Sequence, residues 1–154
     1  MTRLFKANEK LVRTRPAWLK PAFVLLCLLS IASCASLANQ STKLDQAVYA
    51  WSGAIRWGDF EGAMNLIDPE VREKIELTPL QLERYKQVQI SSYRDLGTST
   101  DMDAGTSVRD IEIGVINRHT MAERLVRYRE SWRWDAEAKA WWLTSELPDL
   151  WEGQ

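Results

Sequence analysis

The spacing of apolar residues changes twice along the chain, and each spacing predicts a different structure. Residues 22–32 form a short apolar run without a charged side chain. Residues 44–55 place apolar side chains three and four positions apart, which is typical of an amphipathic helix. After residue 85 apolar and polar side chains alternate, which is typical of half-buried strands. Helices followed by a run of antiparallel strands predict an α+β domain.

Capping residues set the expected helix boundaries. Ser41 or Thr42 is suited to cap the first helix, and Gly58 is suited to end it. A second short helix is expected to begin at Asp59. Two later helices are expected where a capping residue precedes a proline, at Asp68-Pro69 and at Thr78-Pro79, and Gln81 gives the second the spacing of a capping box.

Four strands are expected in the second half of the chain. They occupy residues 88–93, 111–115, 126–134 and 140–145. The first strand is expected to end in a turn near Gly97, and residues 98–105 are expected to form a loop. Shorter turns are expected at residues 117–119 and 135–139.

The first forty residues have the layout of a secretory signal: a basic stretch, a short apolar run and then small residues. The sequence Ile31-Ala32-Ser33-Cys34 at the end of that run resembles the lipobox of bacterial lipoproteins. The resemblance implies cleavage between Ser33 and Cys34, and attachment of acyl chains such as palmitate to Cys34. It therefore divides the chain into a signal peptide at 1–33, a lipidated cysteine with a tether at 34–43, and a single α+β domain at 44–154.

Localisation is inferred from the same resemblance. Lipid on Cys34 would hold the protein to a membrane, since two or more acyl chains bind firmly where one does not. In the enterobacterial sorting rule, Ala35 favours the outer membrane, with the domain facing the periplasm. The alternative is an uncleaved inner-membrane anchor at residues 22–38, although a spanning helix usually needs about 20 apolar residues.

The last two expected strands carry four of the eight Trp, and they support a second resemblance. Seven of the eight Trp follow residue 50, and the expected hairpin reads Trp132-Arg133-Trp134 and then Trp141-Trp142-Leu143. Helices followed by such a meander resemble the nuclear-transport-factor-2-like superfamily. The resemblance implies amino-terminal helices packed on a curved antiparallel sheet that forms a cone. A cystatin-like fold, which needs only one main helix, is the alternative.

Charge and motifs exclude several classes of function. Residues 34–154 carry 14 basic and 20 acidic side chains, so the body of the chain is a poor candidate for binding nucleic acid. No glycine-rich nucleotide motif, metal-ligand cluster or catalytic triad signature is present, and we expect no cofactor, no metal and no catalytic residue. The single His, His119, lies in an expected turn.

Four residues are candidates for ligand or anion binding. Glu130 shares its strand face with Tyr128 and Trp132, so it is either a buried acid or an acid paired with an arginine. Arg127, Arg129 and Arg133 share the opposite face and would suit an anionic partner. On the other hand, Asp110 and Glu112 on the neighbouring strand could neutralise these arginines.

The leading hypothesis is a non-enzymatic envelope lipoprotein that acts as a binding or accessory module. Its partner would be another envelope protein or a second copy of the chain, in addition to the membrane. The alternative is a small-molecule-binding protein or a ketosteroid isomerase-like enzyme that uses a pocket inside the cone. Trp57 and Trp151 lie outside the expected strands and are free to line a pocket or an interface.

Overall fold

A computed structural model describes residues 19–75 and 77–151, with side chains from residue 37 onward. The chain divides into two compact units, Met1–Ser36 and Leu37–Gln154. The second unit contains three short helices and a four-stranded antiparallel sheet, which confirms the α+β class. The elements are α1 Leu19–Trp57, α2 Phe60–Met64, α3 Pro69–Arg72, α4 Pro79–Tyr85, β1 Val88–Asp101, β2 Thr106–Asn117, β3 Glu123–Asp135 and β4 Ala140–Leu143.

Helix α1 begins well before the expected cap at Ser41 or Thr42, so that expected boundary is wrong. The expected tether is likewise wrong for residues 37–43, which are helical. No Gly or Pro interrupts this stretch, and its backbone can therefore continue the helix. Buried Gln40 holds this segment against the sheet. The side-chain amide of Gln40 donates to the Met102 carbonyl at 3.2 Å, and the Trp141 indole donates to the backbone carbonyl of Gln40 at 3.0 Å.

The end of α1 agrees with the sequence prediction. Gly58 has a φ of 71°, the left-handed conformation that commonly closes a helix. The Asp59 amide donates to the Ala54 carbonyl at 2.9 Å, and the Gly58 amide donates to the Ile55 carbonyl at 3.1 Å. Asp59 then caps α2 by accepting a hydrogen bond from the Gly62 amide at 2.8 Å.

The two expected proline-associated helix starts are also confirmed. Asp68 caps α3, and Thr78 caps α4 in a capping box with Gln81. Helix α3 ends at Arg72.

The sheet is a meander in the order β1-β2-β3-β4. The expected turn near Gly97 is wrong, because β1 continues through Gly97 and pairs with β2 as far as Asp101. Register shifts occur between Ile90 and Ser92 and between Asp95 and Gly97. A bulge absorbs the extra residue at each place, and glycine tolerates the distortion at the second. The chain therefore reverses in the tighter turn at residues 102–105.

The core lies between α1 and one face of the sheet, called here the inner face. Trp51 and Ile55 of α1 are fully buried, as are Ile113 and Val115 of β2. Trp51 stacks on Tyr128 of β3, with 6.3 Å between ring centroids. The opposite, outer face carries Asp110 and Glu112 of β2 and Arg127, Arg129 and Arg133 of β3. Within the described residues, no helix is both long and apolar enough to cross a membrane.

Candidate functional site

Glu130 is fully buried on the inner face, where three donors bind its carboxylate. Arg109 lies opposite it in the β2–β3 register and donates from Nη1 to Oε2 at 2.7 Å. The Trp132 indole donates to the same oxygen at 3.0 Å, and the Tyr93 hydroxyl donates to Oε1. Both carboxylate oxygens are therefore occupied by groups from three different strands.

Arg109 is shared between Glu130 and a second acid, Asp95 of β1. Its Nη2 lies 2.7 Å from Asp95 Oδ2, and Thr98 donates to that oxygen at 2.9 Å. Burial alone would raise the pKa of Asp95, but the hydrogen bonds from Arg109 and Thr98 outweigh it and hold the pKa below its usual value. One guanidinium thus links β1, β2 and β3 across the inner face.

This arrangement does not present a free acid to a substrate. The sequence allowed Glu130 to be either a buried acid or an acid paired with an arginine. In the structure it is both, since it is buried and forms an ion pair with Arg109. Burial and the neighbouring Glu130 carboxylate raise the pKa of the Tyr93 hydroxyl, which remains protonated at neutral pH. Tyr93 can therefore donate a hydrogen bond but does not serve as a base there.

A groove of about 950 Å³ separates α1 from β1. It is lined by residues of α1 between 49 and 57, by Asp59 and by residues 90–93 of β1. Two large aromatic side chains on its helix side are mostly exposed, Tyr49 at 78% and Trp57 at 89%. Trp57 therefore lines a surface depression, as expected from its place outside the strands. Trp151 instead packs edge-on against Tyr85.

Arg56 provides the positive charge of the groove. Its guanidinium lies 5.4 Å from the centroid of the Tyr93 ring, and its Nη2 lies 3.4 Å from the Tyr93 carbonyl oxygen. Asp59 is the acid of the lining, and its carboxylate caps α2. The position of this groove could not be predicted from the sequence, because its two walls are more than thirty residues apart along the chain.

The three arginines of the outer face do not form a cluster of free cations. Arg129 Nε lies 2.8 Å from Asp110, as the cross-strand interpretation proposed. Arg133 turns to the amino-terminal cap of α3 and binds the Asp68 carboxylate. Arg127 lies opposite Glu112 in the register, but Glu112 forms an ion pair with Arg94.

The remaining residues singled out in the sequence are Ser33, Cys34 and His119. Ser33 and Cys34 lie outside the part of the chain whose side chains are described. Within the described residues, no group of three or more His, Cys, Asp and Glu side chains is arranged to hold a metal ion. His119 is exposed in the turn between β2 and β3.

Comparisons with known proteins identify a shared fold and no family. No protein-family model matches the chain, and no curated protein matches it significantly. The solution structure of a SEC-C motif-containing protein from Rhodopseudomonas palustris is similar, with 17% sequence identity and a TM-score of 0.50. The match covers 64% of this chain and 73% of that protein. At this identity the likeness concerns the fold alone.

Proposed function

We propose that this chain is a lipid-anchored envelope lipoprotein whose α+β domain binds a partner and does not catalyse a reaction. The anchor rests on the lipobox-like sequence that ends at Cys34, directly after an apolar run. The domain unit starts at Leu37, three residues beyond that cysteine. The proposed location is the periplasmic side of the outer membrane.

The observation that carries the binding function is the contrast between the groove and the buried acid. The groove is open, and its walls include exposed aromatic side chains, which are enriched at binding surfaces. The lining of the groove reaches Tyr93 but does not include Glu130, whose oxygens are already bound by Arg109, Trp132 and Tyr93. A surface for recognition is thus available, whereas the acid that catalysis would need is enclosed.

We further propose that the α+β domain has a nuclear-transport-factor-2-like fold. The long helix α1 packs on the inner face of an antiparallel meander, and the Trp-rich β3–β4 hairpin brings Trp134 and Trp141 together with 5.7 Å between ring centroids. Three short helices lie between α1 and the sheet in the chain. These extra helices favour this type over a cystatin-like fold, which needs only one main helix.

A second candidate is a small-molecule-binding protein, because Tyr93 belongs to both the groove and the Glu130 network. A ligand that enters through the groove and reaches Glu130 must displace the Tyr93 hydroxyl. Its affinity would then change on Tyr93→Phe substitution. A ligand bound only in the outer part of the groove would be insensitive to that change.

The proposed location is tested by density-gradient fractionation of envelopes from an enterobacterial host that makes the full chain. Wild type is expected in the outer-membrane fraction, and Ala35→Asp is expected in the inner-membrane fraction. Cys34→Ser is expected to match neither of these two distributions. Cys27→Ser, which changes the other cysteine, is the matched control and is expected to behave as wild type. Equal distribution of all four proteins would contradict the proposal.

A further inference from the structure

We propose that the groove between α1 and β1 binds an extended, acidic peptide segment of an envelope partner, which adds a strand to the free edge of β1. The proposal deepens the proposed binding function and rests on it.

The two edges of the sheet differ in how they are covered. Beyond β4, Ile67 forms a parallel bridge to Leu143, and the Asp68 amide donates to the Leu143 carbonyl at 2.8 Å. Strand β1, 14 residues long, pairs with β2 on one side, and within the described residues no strand pairs with its other side. An edge strand presents unpaired N–H and C=O groups, which is the arrangement that strand addition uses.

The groove lies beside the part of this edge formed by residues 90–93. Successive side chains of a strand point to opposite faces, so alternate side chains of an added strand would point toward α1. There they would meet the exposed rings of Tyr49 and Trp57. Stacking and apolar contact with such rings would stabilise a bound segment.

Gly53 leaves room for these side chains. A Cβ atom built on it meets no atom within 4 Å, and the residue lies inside α1, where glycine is less favourable than alanine by about 0.5–1 kcal/mol. Nothing within the domain requires a glycine at this place on steric grounds. Its effect is to deepen the groove beside the open edge.

The charge of the groove favours an acidic segment. Arg56 forms no ion pair within the described residues, and Asp59 already caps α2. A carboxylate on the added strand would supply the missing partner, with the geometry that a guanidinium suits. A second copy of β1 is a poorer occupant, because its central acid, Asp95, is already bound by Arg109.

The test uses the full chain in detergent and a capped seven-residue peptide that alternates Val and Thr around a central Glu. Binding is measured by titration calorimetry. We expect saturable binding, a loss of at least about tenfold when Lys replaces the central Glu, and no binding when the three central amides are N-methylated. Tenfold corresponds to about 1.4 kcal/mol.

Protein variants locate the binding site. Arg56→Gln is expected to weaken binding at least about tenfold, and Gly53→Leu is expected to abolish it while the protein still unfolds cooperatively. Arg72→Gln, which removes a guanidinium from α3, is the matched control and is expected to bind as wild type.

Four results would overturn the proposal. Equal binding of the Glu and Lys peptides would remove the role of Arg56, and equal binding of the N-methylated peptide would mean a carboxylate site without strand addition. If no peptide binds, the free edge of β1 does not take an added peptide strand. If the wild-type chain forms a dimer that Gly53→Leu dissociates, the edge is an interface between two copies of the chain. None of these results bears on the lipid anchor, which density-gradient fractionation tests separately.

Discussion

Arg109 and Glu130 face each other across β2 and β3, with 2.7 Å between Nη1 and Oε2 and the carboxylate closed to solvent. Arg109 also binds Asp95, so the pair joins three of the four strands. A buried ion pair of this kind is costly to break, because removal of one partner leaves an uncompensated charge. The inner face is therefore expected to depend on Arg109 for stability.

Replacement of Arg109 by Met should lower the free energy of unfolding by about 3–5 kcal/mol, since it leaves Glu130 buried without a cation. Urea unfolding followed by Trp fluorescence measures the loss. Arg129→Met is the control, because Arg129 forms its ion pair with Asp110 in an exposed position and should matter little. Equal losses in the two variants would contradict this account of the inner face.

Replacement by alanine should change the stability of the protein in opposite directions at Gly53, within α1, and at Gly58, directly after its end. Gly53→Ala should stabilise the protein by about 0.5–1 kcal/mol, because it lies in a helix with open space around its Cβ position. Gly58→Ala should destabilise it by about 1–2 kcal/mol, because its φ of 71° is unfavourable for a residue with a side chain. Thermal unfolding of both variants gives the signs, and shifts of the same sign would be inconsistent with the helix end described.

Gly114 allows the β1 bulge to pack against β2. A Cβ atom at this residue would lie 2.3 Å from Ser91 Oγ and 2.5 Å from Ser92 Oγ. Gly114→Ala should therefore cost about 1–3 kcal/mol of stability, as overpacked sites do. Gly97→Ala, with nothing within 4 Å of its Cβ position, is the companion variant and should have the smaller effect. Unfolding midpoints decide between them.

Asp68 should make the protein sensitive to acid. Burial alone would raise the pKa of its carboxyl, but hydrogen bonds from Arg133 and the Glu70 amide outweigh it and hold the pKa below its usual value. A lowered folded-state pKa adds stability above the unfolded pKa of about 3.9, and that stability is lost as pH falls through the folded value. Asp68→Asn should reduce stability at pH 7 and flatten its fall below about pH 4. Parallel pH profiles of variant and wild type, measured by urea unfolding, would refute this.

Local sequence signals predicted the helix caps and the central strands well. Gly58, Asp59, Asp68 and Thr78 act through neighbours within five residues, so their roles can be inferred from spacing alone. The alternation that identified the strand around Ile113 reflects a face that is buried against α1. Element class and approximate place were therefore predictable.

The failures involve long-range contacts. The helical conformation of residues 37–43 could not be inferred, because this stretch is mostly small and polar and its Gln40 bonds to the distant residues Met102 and Trp141. The length of β1 was missed because Gly97 forms a bulge and not a turn. The partner of Glu130 was not identified, since Arg109 lies on a different strand.

Anchoring of this protein by lipid on Cys34 can be read from the intact mass of membrane-extracted protein, wild type beside Cys34→Ser. We expect a wild-type mass equal to a chain that begins at Cys34 with attached acyl chains, and an unlipidated mass in the variant. A full-length, unlipidated mass in both proteins would contradict it and would indicate that the amino-terminal segment is retained.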